Sequence, residues 1–266
     1  AREAGCSVLV MTERFEDMKA EDWPAMVRDC YASSDERLVV LPGVDIADVY
    51  QNRYLIMGQR IYPSPFMLSA GGKQLKEAQY LSLGFGTHFT AIHRPTTSPL
   101  PHQLYKFFSG SVVYTYRDGE IVDDGRPAYE WMVYNISNPV PLVVHEVDAP
   151  EKLAKAATDG HQLYVMADRP ESAAWYFRSG MQHFWESPIL FLVSSGPMVR
   201  ALRPGYVKVR SEAPITEVTV RTHYYPERMW RPNTQEVALS YRLPPSHQRW
   251  SLIEIRDAEG RTAPPA

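Results

Sequence analysis

Apolar residues in this chain fall into short uninterrupted runs, not strict alternation, over roughly its first three-quarters. Ser7–Met11, Leu38–Leu41, Tyr54–Met57, Pro141–His145, Leu163–Met166 and Ile189–Val193 are such runs. Each fits a strand buried on both faces. Phe89–Ile92 and Val112–Tyr116 are further strand candidates. Between them lie helical spacings. Trp23, Met26, Val27 and Cys30 recur on one face of Glu21–Tyr31, with Pro24 suited to the first turn. Pro150–Asp159 places Leu153, Ala156 and Ala157 together and ends before Gly160, and Glu171–Arg178 ends before Gly180. Leu68–Leu83 reads as helical or mixed, and Tyr129–Ile136 suits a helix or a strand. The alternation predicts an α/β domain of about seven mostly parallel strands with crossover helices, either a (β/α) barrel-like domain or a doubly wound sheet.

The pattern changes after Pro204. Val207 and Val209 alternate with Lys208 and Arg210, Val218 and Val220 with Thr219 and Arg221, and Ile253 and Ile255 with Glu254 and Arg256. Period two with one wet face predicts a C-terminal antiparallel β-sandwich, with a turn at Asp257–Gly260. The expected domains are therefore residues 1–203 and 204–266, divided near Arg203.

The chain has 266 residues, 44% hydrophobic and 22% charged, enough to bury a substantial core. A net charge of −3 gives no global attraction to nucleic acid or to an anionic membrane. No run of about 18 apolar residues is present, so no transmembrane segment is expected. No signal peptide is visible, and the opening Ala1–Gly5 reads as the tail of a helix, which predicts a chain that starts inside a longer protein and lacks its first barrel strand. Cys6 and Cys30 are expected to be two buried thiols in preference to a disulfide.

In parallel α/β folds, functional groups gather at the carboxyl ends of strands. Glu13 and Arg14 follow the first run, Asp45 the second, His88 and His93 flank the fourth, and His145 with Glu146 ends the run that starts at Pro141. Carboxylates and imidazoles at several strand ends are the donors a hydrolytic metal site needs. No His-x-His or His-Glu-x-x-His spacing occurs. Adjacent strand residues face opposite ways, so only one of His145 and Glu146 can face a barrel mouth. Ser194-Ser195-Gly196 lacks the strand–nucleophile–helix elbow of a hydrolase, and Asp118-Gly119 and Asp123-Asp124-Gly125 are turn chemistry without calcium-loop spacing.

A strand ending in Thr12-Glu13-Arg14, then a helix, then Leu-Pro-Gly-Val-Asp45-Ile and a strand ending at Gly58, resembles the PHP (polymerase and histidinol phosphatase) superfamily. Phe-Leu-Val-Ser-Ser-Gly-Pro197, followed by an alternating β segment, resembles a branch of that superfamily with an appended β-sandwich. The resemblance implies a metal-dependent phosphoesterase fold, a distorted seven-stranded barrel. The departures from the family pattern are specific. Thr12-Glu13-Arg14 stands where the family has Thr-Asp-His, Gly43-Val44-Asp45 where it has Gly-x-Glu, and Asn52 and Arg53 lie where a histidine often precedes the next strand. Arg14 cannot ligate a metal, because a guanidinium keeps its charge and offers no lone pair.

Two function classes follow. In one, the chain is a degenerate PHP-like domain with a lost or reduced metal site and no cofactor. It would be a binding or structural module for other protein chains or an anionic small molecule or saccharide, in a setting compatible with an extracellular protein. Arg14, Arg53 and Arg94 are its candidate anion-binding residues, and Arg14 is expected to pair with Asp45. In the other, it is a hydrolase of phosphoesters or related esters using zinc, manganese or iron, with Asp45 and His145 as ligands helped by Glu13, His88 or His93.

Overall fold

The computed structural model describes residues 8–58, 62–63, 65–77, 89–94, 108–135, 139–156, 160–166, 190–203, 205–222, 225–242 and 251–263. These residues are mostly strand. The expected helices at Ala1–Gly5 and Glu171–Arg178 fall outside them, as do Cys6 and His88.

Seven strands form one curled, mixed sheet: β1 (Val8–Arg14), β2 (Val39–Ala47), β3 (Arg53–Met57), β4 (Phe89–Arg94), β5 (Gly110–Arg117), β6 (Glu120–Asp124) and β7 (Val140–Glu146). Pairs β1–β2, β4–β5 and β5–β7 are parallel, whereas β2–β3, β3–β4 and β5–β6 are antiparallel. The mostly parallel, helix-flanked barrel is thus not what these residues form. Connection length is the physical reason. Residues 48–52 alone join β2 to β3, and a parallel crossover takes about a dozen residues or more. The β5–β6 link is tighter still, with Asp118 at φ 53° and Gly119 at φ 87°. Two successive positive φ angles make the hairpin turn that Asp-Gly favours.

Two helices of ten residues flank this sheet, α1 (Trp23–Ala32) and α2 (Arg126–Asn135). The ambiguous stretch at Tyr129 is therefore helix, and Ala128, Tyr129, Met132 and Val133 are its buried face. From Pro150 the chain makes one 3₁₀ turn and a four-residue helix, α3 (Leu153–Ala156). The described part of Leu68–Leu83 holds no α-helix; after a 3₁₀ turn at Pro65–Met67 come turns and bends, with isolated bridges from Leu75 to Leu68 and Asp48.

The second apolar run does not stop at Pro42. Strand β2 continues to Ala47, and the Pro42 carbonyl accepts the Gly58 amide at 2.8 Å. At Gly43 a Cβ would stand 2.8 Å from the Ile56 carbonyl oxygen and 2.9 Å from the Thr12 methyl, so only glycine lets β1, β2 and β3 approach this closely. Alternation then gives the sheet two apolar faces. Val44, Ile46, Tyr54, Ile56 and Ile92 pack with Trp23 of α1 and Met132 of α2. Leu41, Leu55, Met57, Phe89, Ala91, Val112 and Leu142 pack on the other face. Cys30 is a buried free thiol beside Leu38 and Val40.

Strands β8 (Gln162–Met166) and β9 (Leu190–Ser194) form an antiparallel pair. The remaining six build one antiparallel sheet: β10 (Met198–Arg203), β11 (Tyr206–Thr222), β12 (Arg228–Trp230), β13 (Thr234–Ser240), β14 (Ser251–Asp257) and β15 (Thr262–Ala263). Its first strand begins at Met198, ahead of the expected boundary at Arg203. The two alternating segments expected at 206–211 and 217–221 are one 17-residue strand. Pro214 lies where its register shifts, since a residue without an N–H cannot continue the ladder. The core of this sheet, including Val207, Val209, Ile215, Val218, Ile253 and Ile255, also takes in Leu192 of β9. Leu252 of β14 packs in return with Val113, Tyr114 and Tyr129. No described helix is long and apolar enough to cross a membrane.

The β2–β3 turn rests on Asp48, 1% exposed. Its carboxylate accepts the Tyr50 amide at 2.8 Å, the Asn52 amide at 3.0 Å, Asn52 Nδ2 at 2.9 Å and Tyr54 Oη at 2.7 Å. Burial, and then the hydrogen bond to Asp48, push the Tyr54 phenol well above its usual range. Asp48→Ala leaves buried donors without acceptors, each costing about 1–3 kcal/mol. Urea unfolding should show a loss of about 3 kcal/mol or more with an unchanged slope. A loss under about 1 kcal/mol would contradict this account of the turn.

Candidate functional site

Topology brings several strand ends to one rim. Since β2 is parallel to β1, β4 is reversed twice from β2, and β5 and β7 run with β4, all five end at the same side. Strand β3 runs the other way and contributes its first residue, Arg53, to that rim. Register places Asp45 across from Leu55, and Leu55 across from Ala91. The rim therefore caps the core formed by Leu55 and Ala91.

Asp45 is 7% exposed, His93 2% and Thr115 fully buried. Arg53 Nε donates to Asp45 Oδ1 at 3.0 Å, and its Nη1 and Nη2 donate to the two oxygens of Glu16 at 2.9 and 3.3 Å. His93 Nδ1 lies 3.2 Å from Asp45 Oδ2, and its Nε2 lies 3.1 Å from Thr115 Oγ1. An ionised carboxylate only accepts, which puts the proton on Nδ1; in the neutral ring Nε2 then accepts from the Thr115 hydroxyl. Burial raises the Asp45 carboxyl. The hydrogen bond from His93, the charge of His93 and the Arg53 guanidinium outweigh burial and hold it below its usual range.

A second set of ion pairs adjoins the first. Arg94 Nη2 donates to Glu146 Oε1 at 2.6 Å, Arg117 Nε donates to Glu146 Oε2 at 2.9 Å, and Asp123 lies 3.9 Å from Arg94 Nε. Burial raises the Glu146 carboxyl, but the hydrogen bond from Arg117 and the charges of Arg94, Arg117 and His93 lower it overall. Three guanidiniums thus face Glu16, Asp45, Glu146 and Asp123, and the rim is close to charge-balanced.

The fold unites Asp45, His93 and Arg53 and sets Arg94 beside Glu146. It does not join His145 to Asp45. His145 pairs in register with Tyr116 and stacks on its ring at 5.1 Å, and Tyr116 faces away from its neighbour Thr115, which meets His93. Arg14 is the register partner of Asp45 on β1, yet Arg53 holds the carboxylate. Arg14 is exposed instead in an open groove of about 270 Å³ with Glu13, Asp17 and Asp22. Ser194 closes a turn by donating to the Pro197 carbonyl and accepting the Gly196 amide, a structural role. Thr115, Glu16 and Arg117 went unread in the sequence. Thr115 and Arg117 could have been found, because they share one parity on an apolar strand whose other parity carries Tyr114 and Tyr116.

Among the described residues no group of three or more His, Cys, Asp or Glu is placed to hold a metal ion. No family model, no curated protein and no solved structure matches the chain.

Asp45 should stabilise the fold through its depressed pKa. The sign is that of a lowered carboxylate: the contribution is complete above about pH 3.9, the unfolded value, and disappears as pH falls through the folded value. Asp45→Asn should cost about 2 kcal/mol near pH 7, and the deficit should narrow only below about pH 4. Guanidinium unfolding at several pH values measures it. A deficit that does not change with pH would show that the Asp45 charge contributes nothing.

Proposed function

We propose that this chain is a PHP-like domain whose metal-holding mouth has been replaced by ion pairs, with a β-sandwich-like C-terminal part, and that it works as a binding or structural module. The observation that carries this reading is the state of Asp45: Arg53 takes one carboxylate oxygen and His93 the other. A divalent ion about 4 Å from the Arg53 guanidinium is repelled by roughly 8 kcal/mol at an effective dielectric constant of about 20. Arg14, where the family has a histidine, removes a further donor. The partners that suit such a module are other protein chains or an anionic small molecule such as an acidic saccharide. Arg94 and Arg117 at the rim are suited to hold an anion by exchange with Glu146.

One observation favours the second reading, a metal-dependent hydrolase of phosphoesters. Asp45 and His93 do stand together at the rim, and both are donors that zinc, manganese or iron accepts. Elemental analysis separates the two readings. Protein expressed with zinc, manganese and iron supplied should carry less than about 0.1 equivalent of each after gel filtration. One to three equivalents, roughly the content of a working site, would establish the hydrolase instead.

A further inference from the structure

We propose that His161 is an acid-sensitive latch that ties the seven-stranded sheet to the C-terminal antiparallel sheet and opens when its imidazole is protonated. The inference is independent of what the rim binds.

His161 stands just before β8 and is buried between the two sheets. Tyr116 Oη of β5 lies 2.6 Å from its Nδ1, and Thr262 Oγ1 of β15 lies 2.9 Å from its Nε2. One ring thus bonds both sheets at once. The sense of these bonds follows from a third. The His161 backbone amide donates to Tyr116 Oη at 3.1 Å, so that phenol oxygen already accepts and its single hydrogen is directed to Nδ1. In the tautomer where that hydrogen bonds Nδ1, Nδ1 accepts and Nε2–H donates to Thr262. A proton on Nδ1 would meet the phenol hydrogen head-on, and Tyr116 would have to release it and accept twice.

Neither side chain bonded to the ring carries a charge to offset a cation. The ring nitrogens meet a phenol and a hydroxyl, and the ring stacks on Tyr114 at 4.4 Å. Arg126 of α2 lies over the same Tyr114 ring at 5.6 Å, with its own charge paired to Asp124 of β6. His145 of β7 stacks on Tyr116 from behind. From the C-terminal side, Glu217, Glu254 and Arg256 line a cavity of about 80 Å³ with Tyr114, Arg126 and Thr262, so that side brings charges of both signs. Burial, and then the Arg126 charge, push the His161 imidazole down to about 4.

The linkage has a definite sign. An opened, hydrated His161 takes up its proton near pH 6.5, whereas the closed latch refuses it until about pH 4. Closure is complete above about pH 6.5 and weakens as pH falls toward 4. The neighbouring ties, Ser195 amide to the Thr262 carbonyl at 2.9 Å and Ser195 Oγ to the same carbonyl at 3.1 Å, report the opening without titrating.

Hydrogen exchange on the full chain, corrected for intrinsic rates, tests the latch. Between about pH 7 and pH 5 the amides of His161, Ser195 and Thr262 should lose roughly tenfold in protection while those of Val44 and Ile56 keep theirs. His161→Gln, which keeps a donor toward Thr262 but cannot titrate, should abolish the pH dependence. Equal losses in the two proteins, or no loss in the wild type, would overturn the proposal. Should the variant not fold, imidazole NMR of the wild type decides alone: titration near pH 4 supports the latch, and titration near pH 6.5 overturns it.

Discussion

A carboxylate buried at the edge of an apolar core has to be answered by positive charge or hydrogen-bond donors, and the layout of this rim follows from how Asp45 is answered. Arg53 is available only because β3 runs antiparallel to β2, which brings its first residue, rather than its last, beside Asp45. His93 is available because β4 reverses direction again and ends at the same side. Each partner carries the network further, Arg53 to Glu16 in the turn after β1 and His93 to Thr115 of β5. The short β2–β3 connection that breaks the parallel order is thus also what supplies the guanidinium, and the Asp48 turn fixes that connection.

Sequence reading located the individual groups better than their partnerships. Buried runs mark the strands because β-branched and aromatic residues packed on two faces need no polar side, and the runs at Ser7, Leu38, Tyr54, Phe89, Val112 and Pro141 correspond to β1, β2, β3, β4, β5 and β7. Strand direction follows connection length, not the apolar runs: residues 48–52 are too few to cross over, so β3 turns back beside β2. Asp45 was singled out by its place after Pro-Gly-Val, yet its pairing with Arg53 instead of Arg14 depends on the antiparallel register, which no local pattern encodes. Thr115 and Tyr116 differ in which face they serve, and only the β5–β7 register, with its bulge, assigns His145 to the side away from the rim. The alternating segments at 206–211 and 217–221 belong to one strand because the chain direction continues through Pro214, where only the β11–β13 register shifts.

The two sheets are joined by chemistry of a different kind. Leu252 of the C-terminal sheet packs with Val113, Tyr114 and Tyr129, while Leu192 of the β8–β9 pair enters the C-terminal core, and these apolar contacts are insensitive to pH. A polar seam of Tyr116, His161 and Thr262 adds to them, and its Tyr116-to-Nδ1 hydrogen bond keeps its direction only while the imidazole is neutral. The rim and the seam lie on opposite parities of the same strand, Thr115 toward one and Tyr116 toward the other.

The layout of the rim depends on Arg53 neutralising Asp45. A double-mutant cycle between Asp45→Asn and Arg53→Met, read by chemical unfolding first with a chelator and then with zinc, tests it most directly. The account predicts a coupling of about 2 kcal/mol that is the same in both conditions. A coupling near zero, or wild-type stability that rises with zinc and does so only while Asp45 is present, would contradict it.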